Sequence, residues 1–104
     1  MDESTWDTVE RLVTWLDAHS PHAPEVRRLL RVLKLQEEAG EVAEAVQGAM
    51  GGNPRKGASH TWADVERELC DVIITAMVTL TTISAAPHET FSTHLTHVAH
   101  RSPG

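Results

Sequence analysis

A chain of 104 residues has room for one domain, residues 1–104, and buries only about two-thirds of its unfolded surface, so association with further copies is expected. A formal net charge of -6 argues against broad nucleic-acid binding, which calls for clustered Lys and Arg, and the apolar run from Val72 to Val78 is far shorter than a membrane span. Neither nucleic acid nor membrane is therefore an expected partner. Met1 to Trp6 lack the basic and apolar regions of a secretory signal, so a cytoplasmic location is expected. The lone Cys70 excludes an internal disulfide and reads as a small core residue without a catalytic role.

The apolar period of Trp6, Val9, Leu12, Val13 and Leu16 predicts a first helix from Thr5 to Ala18, capped by Ser4. Pro21 and Pro24 close the linker after it. Pro24 is tolerated in the first turn of a second helix, which continues to about Met50 through Leu29, Val32, Leu35, Val42 and Val46. Gly51, Gly52, Asn53, Pro54 and Gly57 form a loop, and Thr61-x-x-Asp64 reads as a capping box that opens a third helix reaching Ser84. The second half of that helix (Val72, Ile73, Ile74, Ala76, Met77, Val78, Leu80, Ile83) is apolar on almost every side, the mark of a central helix or of one buried by a partner subunit. A shorter fourth helix follows Pro87, and residues 101–104 read as a frayed tail. The fold class is all-α: an antiparallel bundle of about four helices with its core in residues 5–100, completed by oligomerisation.

Two acidic pairs carry the chemistry. At about 100° per residue, Glu38, Glu41, Lys34 and Arg31 share one face of the second helix beside Leu35, Ala39, Val42 and Val46, with Glu37 and Glu44 farther round. On the third helix Asp64, Glu68, Asp71, Thr75 and Thr79 share a face beside Val65, Val72 and Ala76. Antiparallel packing across the short loop lets Glu38-x-x-Glu41 meet Glu68-x-x-Asp71. Four carboxylates at the edge of a small core need protonation, a basic partner or a divalent cation. The cation is the favoured reading, and hard oxygen ligands without Cys or His favour Mg²⁺ or Mn²⁺. A di-iron bundle would need Glu-x-x-His, and no Glu here has a His three residues on. The plainer alternative is a set of solvated acids paired with Lys34, Arg31 and Arg67.

The basic residues fall in two groups, Arg27, Arg28, Arg31 and Lys34 on the second helix and Arg55 and Lys56 in the loop, which suits a small polyanion such as phosphate. His94, His97 and His100 walk around the fourth helix, so at most two could share a metal and a polar face is the simpler reading.

Glu37-Glu38-x-x-Glu41 followed by Glu68-x-x-Asp71 resembles the signature of the MazG-like all-α nucleoside triphosphate pyrophosphohydrolases. The stretch from Lys34 to Ala45, the loop Asn53-Pro54-Arg55-Lys56-Gly57 and Glu68-Leu69-Cys70-Asp71-Val72 are similar to that family's text, and the resemblance spans roughly residues 25–84. It implies Mg²⁺- or Mn²⁺-dependent cleavage of a nucleoside triphosphate between the α- and β-phosphates, yielding a monophosphate and pyrophosphate. It also implies that Glu38, Glu41, Glu68 and Asp71 are metal ligands, that Glu37 orients or deprotonates the attacking water, and that the protein is a homodimer or a tetramer. Lys34, Arg55 and Lys56 would then meet phosphate, while Trp15 and Trp62 either stack on a base or belong to the core. Thr75 departs from relatives that carry Asn or Lys one turn after the Asp, which weakens transfer of their pyrimidine preference. Two other readings stand beside this one: a phosphoribosyl-ATP pyrophosphohydrolase-like enzyme, and a non-catalytic helical module with a cation-stabilised seam.

Overall fold

The computed structural model describes residues 1–52, 54–55 and 57–101. Among them are four helices and no β-strand: α1 (Glu3–His19), α2 (Pro24–Ala49), α3 (Trp62–Ile83) and α4 (Pro87–Arg101). Each begins where a polar side chain or a proline settles the unpaired N–H groups of the first turn. Asp2, and not Ser4, caps α1: its Oδ1 accepts the Thr5 N–H at 2.9 Å and the Ser4 hydroxyl at 3.0 Å, so the helix starts before the expected Thr5. The capping box of α3 forms as expected, with the Thr61 N–H donating to Asp64 Oδ2 at 2.8 Å and the Asp64 N–H to Thr61 Oγ1 at 3.3 Å. That backbone hydrogen bond holds the Asp64 carboxyl below the ordinary Asp range. Arg101, the first residue of the expected tail, ends α4 as helix, and residues 102–104 lie outside the described residues.

α2 and α3 run antiparallel, pinned at both ends. At one end Arg31 Nη1 donates to Thr82 Oγ1 at 2.9 Å, and Thr79 Oγ1 donates to the Arg31 carbonyl at 3.2 Å. At the other, Gly48 is buried against His60 and Ser59, and a Cβ at Gly48 would sit 2.7 Å from Ser59 Oγ. α1 lies on the second half of α3 and shares with it the core of Trp6, Val9, Val13, Met77 and Val78, joined by Leu16, Leu80 and Phe91 of α4. Arg31 also reaches α1, its Nη2 lying 2.6 Å from Asp17 Oδ1, with Arg27 Nε 3.3 Å from the same oxygen. One guanidinium thus ties three helices, and the expectation that Arg31 pairs with the α2 acids is corrected: Asp17 is its partner.

The protomer measures 46 × 45 × 22 Å with a radius of gyration of 16.5 Å; a closed domain of this length reaches about 13 Å. α3 touches each of the other helices, yet its first half is bare on the side away from α2, where Leu69, Ile73 and Ile74 stay exposed. Cys70 lies on this side and is exposed, which overturns its reading as a core residue. Among the described residues no single helix is long and apolar enough to cross a membrane.

Two predictions test these contacts. Arg31→Ala takes the nearer cation from Asp17 and the donor from Thr82, and is expected to cost about 2–3 kcal/mol in urea unfolding. Gly48→Ala is expected to cost about 1–3 kcal/mol through overpacking. At Gly40 an added Cβ would meet nothing within 4 Å. Gly40→Ala should instead gain about 0.5–1 kcal/mol, because the residue stands in a helix interior.

Candidate metal centre

The two pinned ends of the α2–α3 hairpin fix what falls between them. Ala45, 1% exposed, allows close approach of the helices, and Val65 of α3 is likewise buried. One helical turn or two towards Arg31 from Ala45 stand Glu41 and Glu38, with Glu68 across the seam on α3. One carboxylate oxygen from each of Glu38, Glu41 and Glu68 lies within 4.8 Å of the other two, the only such group of three found among the described residues.

The electrostatics of this group are unbalanced. Glu38 is a buried charged residue at 8% exposure, and its Oε1 lies 3.5 Å from Lys34 Nζ, a side chain that is itself 57% exposed. Glu68 Oε2 is shut off from water and has no hydrogen-bond partner among the described residues. A buried polar oxygen left without a partner is costly, and a buried charge more so. Glu41 stands exposed at the rim, and its carboxyl is pushed above the ordinary glutamate range by the charge on Glu38 first, then by desolvation and by the charge on Glu68. Lys34, half in water, sits beside only one of these three carboxylates. A proton on Glu41 or a divalent cation among the three would relieve the repulsion, and the all-oxygen donor set fits Mg²⁺ or Mn²⁺.

Of the other residues singled out in the sequence, Asp71 is exposed and lies outside the group, one turn beyond Glu68 on the same helix. Glu37 is exposed beside Glu38. Arg55 is exposed in the loop between α2 and α3, and Lys56 lies outside the described residues. Trp15 sits on α1, 57% exposed, with its ring stacked on His19 at 4.3 Å, and Trp62 is 56% exposed at the start of α3, so neither is a core residue. Thr75 is half-buried, and its carbonyl accepts the Thr79 hydroxyl at 2.7 Å. Arg67 pairs with Asp64 within its own helix, and His94 and His97 stack at 5.9 Å on the exposed face of α4. Missed in the sequence were His60 and Ser59, which close the end of the seam. Their signal was the small pair Ala45 and Gly48, three residues apart on the inner face of α2, which marks close approach.

No family model, curated protein or solved structure matches the chain. The likeness to MazG-like proteins therefore rests on the motifs themselves.

The sign of the pH effect follows from Glu41. In the unfolded chain it titrates at its ordinary value and in the folded chain above it, so between the two the folded state holds more protons and stability falls as pH rises. Glu41→Gln is expected to raise the melting temperature of the cation-free protein at pH 7 and to flatten its dependence on pH through that window. The same variant should weaken Mn²⁺ binding at least about tenfold, measured by calorimetry.

Proposed function

We propose that the chain is a divalent-cation-dependent nucleoside triphosphate pyrophosphohydrolase that cleaves between the α- and β-phosphates, giving an NMP or dNMP and pyrophosphate. The observation that carries this reading is the convergence of Glu38, Glu41 and Glu68, with a buried Glu68 oxygen that has no hydrogen-bond partner among the described residues. The resemblance of Glu37-Glu38-x-x-Glu41 and Glu68-x-x-Asp71 to the MazG-like signature supports it.

In this reading Glu38, Glu41 and Glu68 hold the cation, and Asp71, one turn beyond Glu68, joins them as the fourth ligand that the resemblance implies. A bound Mg²⁺ or Mn²⁺ supplies charge neutralisation of the triphosphate and Lewis-acid polarisation at the α-phosphorus. The chain's own residues do the rest. Lys34, already beside Glu38, offers an ammonium to the phosphates. Arg55 and Lys56 approach them from the loop. Glu37, turned by about 100° from Glu38, stands at the outer edge where it accepts a proton from the attacking water. No covalent nucleophile is required. The activity suits house-cleaning of the cytoplasmic nucleotide pool by a homodimer or tetramer.

The test is release of pyrophosphate from a panel of ribo- and deoxyribonucleoside triphosphates with Mg²⁺ or Mn²⁺. Equimolar monophosphate and pyrophosphate are expected, with Glu38→Gln and Glu68→Gln reduced at least about 100-fold in kcat/KM. Cation-dependent melting without turnover on any nucleotide or on phosphoribosyl-ATP would move the chain to the non-catalytic module.

A further inference from the structure

Away from the carboxylate seam, a cleft of about 510 Å³ opens between α1, the end of α3 and the start of α4, a volume in the range that admits a small molecule. Trp6 and Thr81 line it. Trp6 is 5% exposed and its Nε1–H has no hydrogen-bond partner among the described residues, and the Thr81 hydroxyl is likewise shut off and unpaired. A buried indole N–H ordinarily finds an acceptor, and leaving it without one is costly. Thr81 also differs from its neighbours on α3, since the hydroxyls of Thr79 and Thr82 donate to the carbonyls four residues back at 2.7 and 2.8 Å. His88 stacks on the Trp6 ring at 6.0 Å and Phe91 tilts against it at 5.9 Å, so the indole is held in place.

The rest of the lining is acidic. Glu3, Asp7 and Glu10 recur at i, i+4 and i+7 and fall within about 60° of arc on α1, and Glu89 lines the cleft from the first turn of α4. All four are exposed, and none forms an ion pair among the described residues. Like charges at these spacings repel. Arg11, one turn from Asp7, is the nearest neutraliser along α1, but its Nη2 donates to Thr8 Oγ1 at 3.1 Å. No Lys or Arg lines the cleft.

We infer that this cleft binds a hydroxylated organic cation of the amino-sugar class, its ammonium groups on the acids of α1 and α4 and its oxygens on the Trp6 N–H and the Thr81 hydroxyl. Each part of the lining narrows the ligand. Four carboxylates without a basic residue exclude a phosphate or any other anion. An unpaired indole N–H is a donor only, so a bare metal ion or a polyamine, which offers no acceptor, leaves it unsatisfied. A neutral sugar supplies the acceptor but leaves the acids uncompensated. A molecule that carries ammonium and hydroxyl groups together answers both. Thr81 stands roughly 20 Å along α3 from Glu68, so the cleft is separate from the carboxylate seam and its ligand does not depend on the hydrolase reading.

Calorimetry on the full chain, without nucleotide or divalent cation, tests this with three probes: kanamycin, which carries ammonium and hydroxyl groups; spermidine, which carries charge without oxygen; and sucrose, which carries oxygen without charge. Kanamycin should bind with a submillimolar Kd, at least about tenfold more tightly than spermidine, and sucrose should not bind. Asp7→Asn combined with Glu10→Gln should weaken kanamycin at least about tenfold. Glu66→Gln removes an exposed acid outside the cleft and should change the affinity less than about twofold. The indole N–H resonance of Trp6, assigned with the help of Trp15→Phe and Trp62→Phe, should move downfield on binding while those of Trp15 and Trp62 stay. Spermidine or sucrose binding as tightly as kanamycin, an unaltered affinity in the double variant, or a Trp6 resonance that does not move overturns the proposal. So does a wild type without saturable binding, an outcome that leaves the hydrolase reading untouched.

Discussion

Three carboxylates share one seam between two helices, and the repulsion among them is the constraint around which the hairpin is arranged. Glu38 is buried, Glu68 has an oxygen shut off from water without a hydrogen-bond partner among the described residues, and Glu41 answers by holding its proton more tightly. Such an arrangement persists only if the surrounding structure forces it. Here the forcing is visible at both ends of the seam. Arg31 binds Asp17 of α1 and Thr82 of α3, and Gly48 admits His60 and Ser59 where any side chain would collide. These two contacts hold the helices together on either side of the acids.

The division of cations follows from the same arrangement. A guanidinium near the acids would have been the simplest neutraliser, and Arg31 is on the right face of α2 for it. Its charge goes to Asp17, while Lys34, over half exposed, lies 3.5 Å from one oxygen of Glu38. An ammonium half in water is screened and offsets only part of the charge on buried Glu38. The negative charge left in the seam is what makes a divalent cation a physically reasonable occupant, and the hydrolase proposal grows from that deficit.

Much of this is legible in the sequence. The helix periods of Trp6, Val9 and Val13, the capping box at Thr61 and Asp64, and the placing of Glu38 at the border of the apolar stripe of α2 need only spacing and capping chemistry. What is not legible depends on which long-range partner a residue finds. The position of Arg31 on its own helix points it at the α2 acids, whereas Asp17, on another helix, decides where it goes. The place of Cys70 next to Leu69 in a helical pattern suggests core, but the residues of α3 buried against α1 are Met77 and Val78. Helical register alone groups Asp71 with Glu68; the approach of α2, which sets which acids converge, brings in Glu41 and leaves Asp71 at the edge. The N-terminal boundary of α1 differs because Asp2, a better acceptor than a serine hydroxyl, caps first.

Whether the unbalanced carboxylates form a cation site is decided by electron paramagnetic resonance of Mn²⁺ titrated into the wild-type chain and into Glu38→Gln and Glu68→Gln. The sharp six-line signal of free Mn²⁺ should be suppressed by the wild type up to a fixed stoichiometry, be restored by excess Mg²⁺, and stay at full strength with either variant. A free-ion signal undiminished by the wild type, or equally diminished by both variants, would contradict a cation site at this seam.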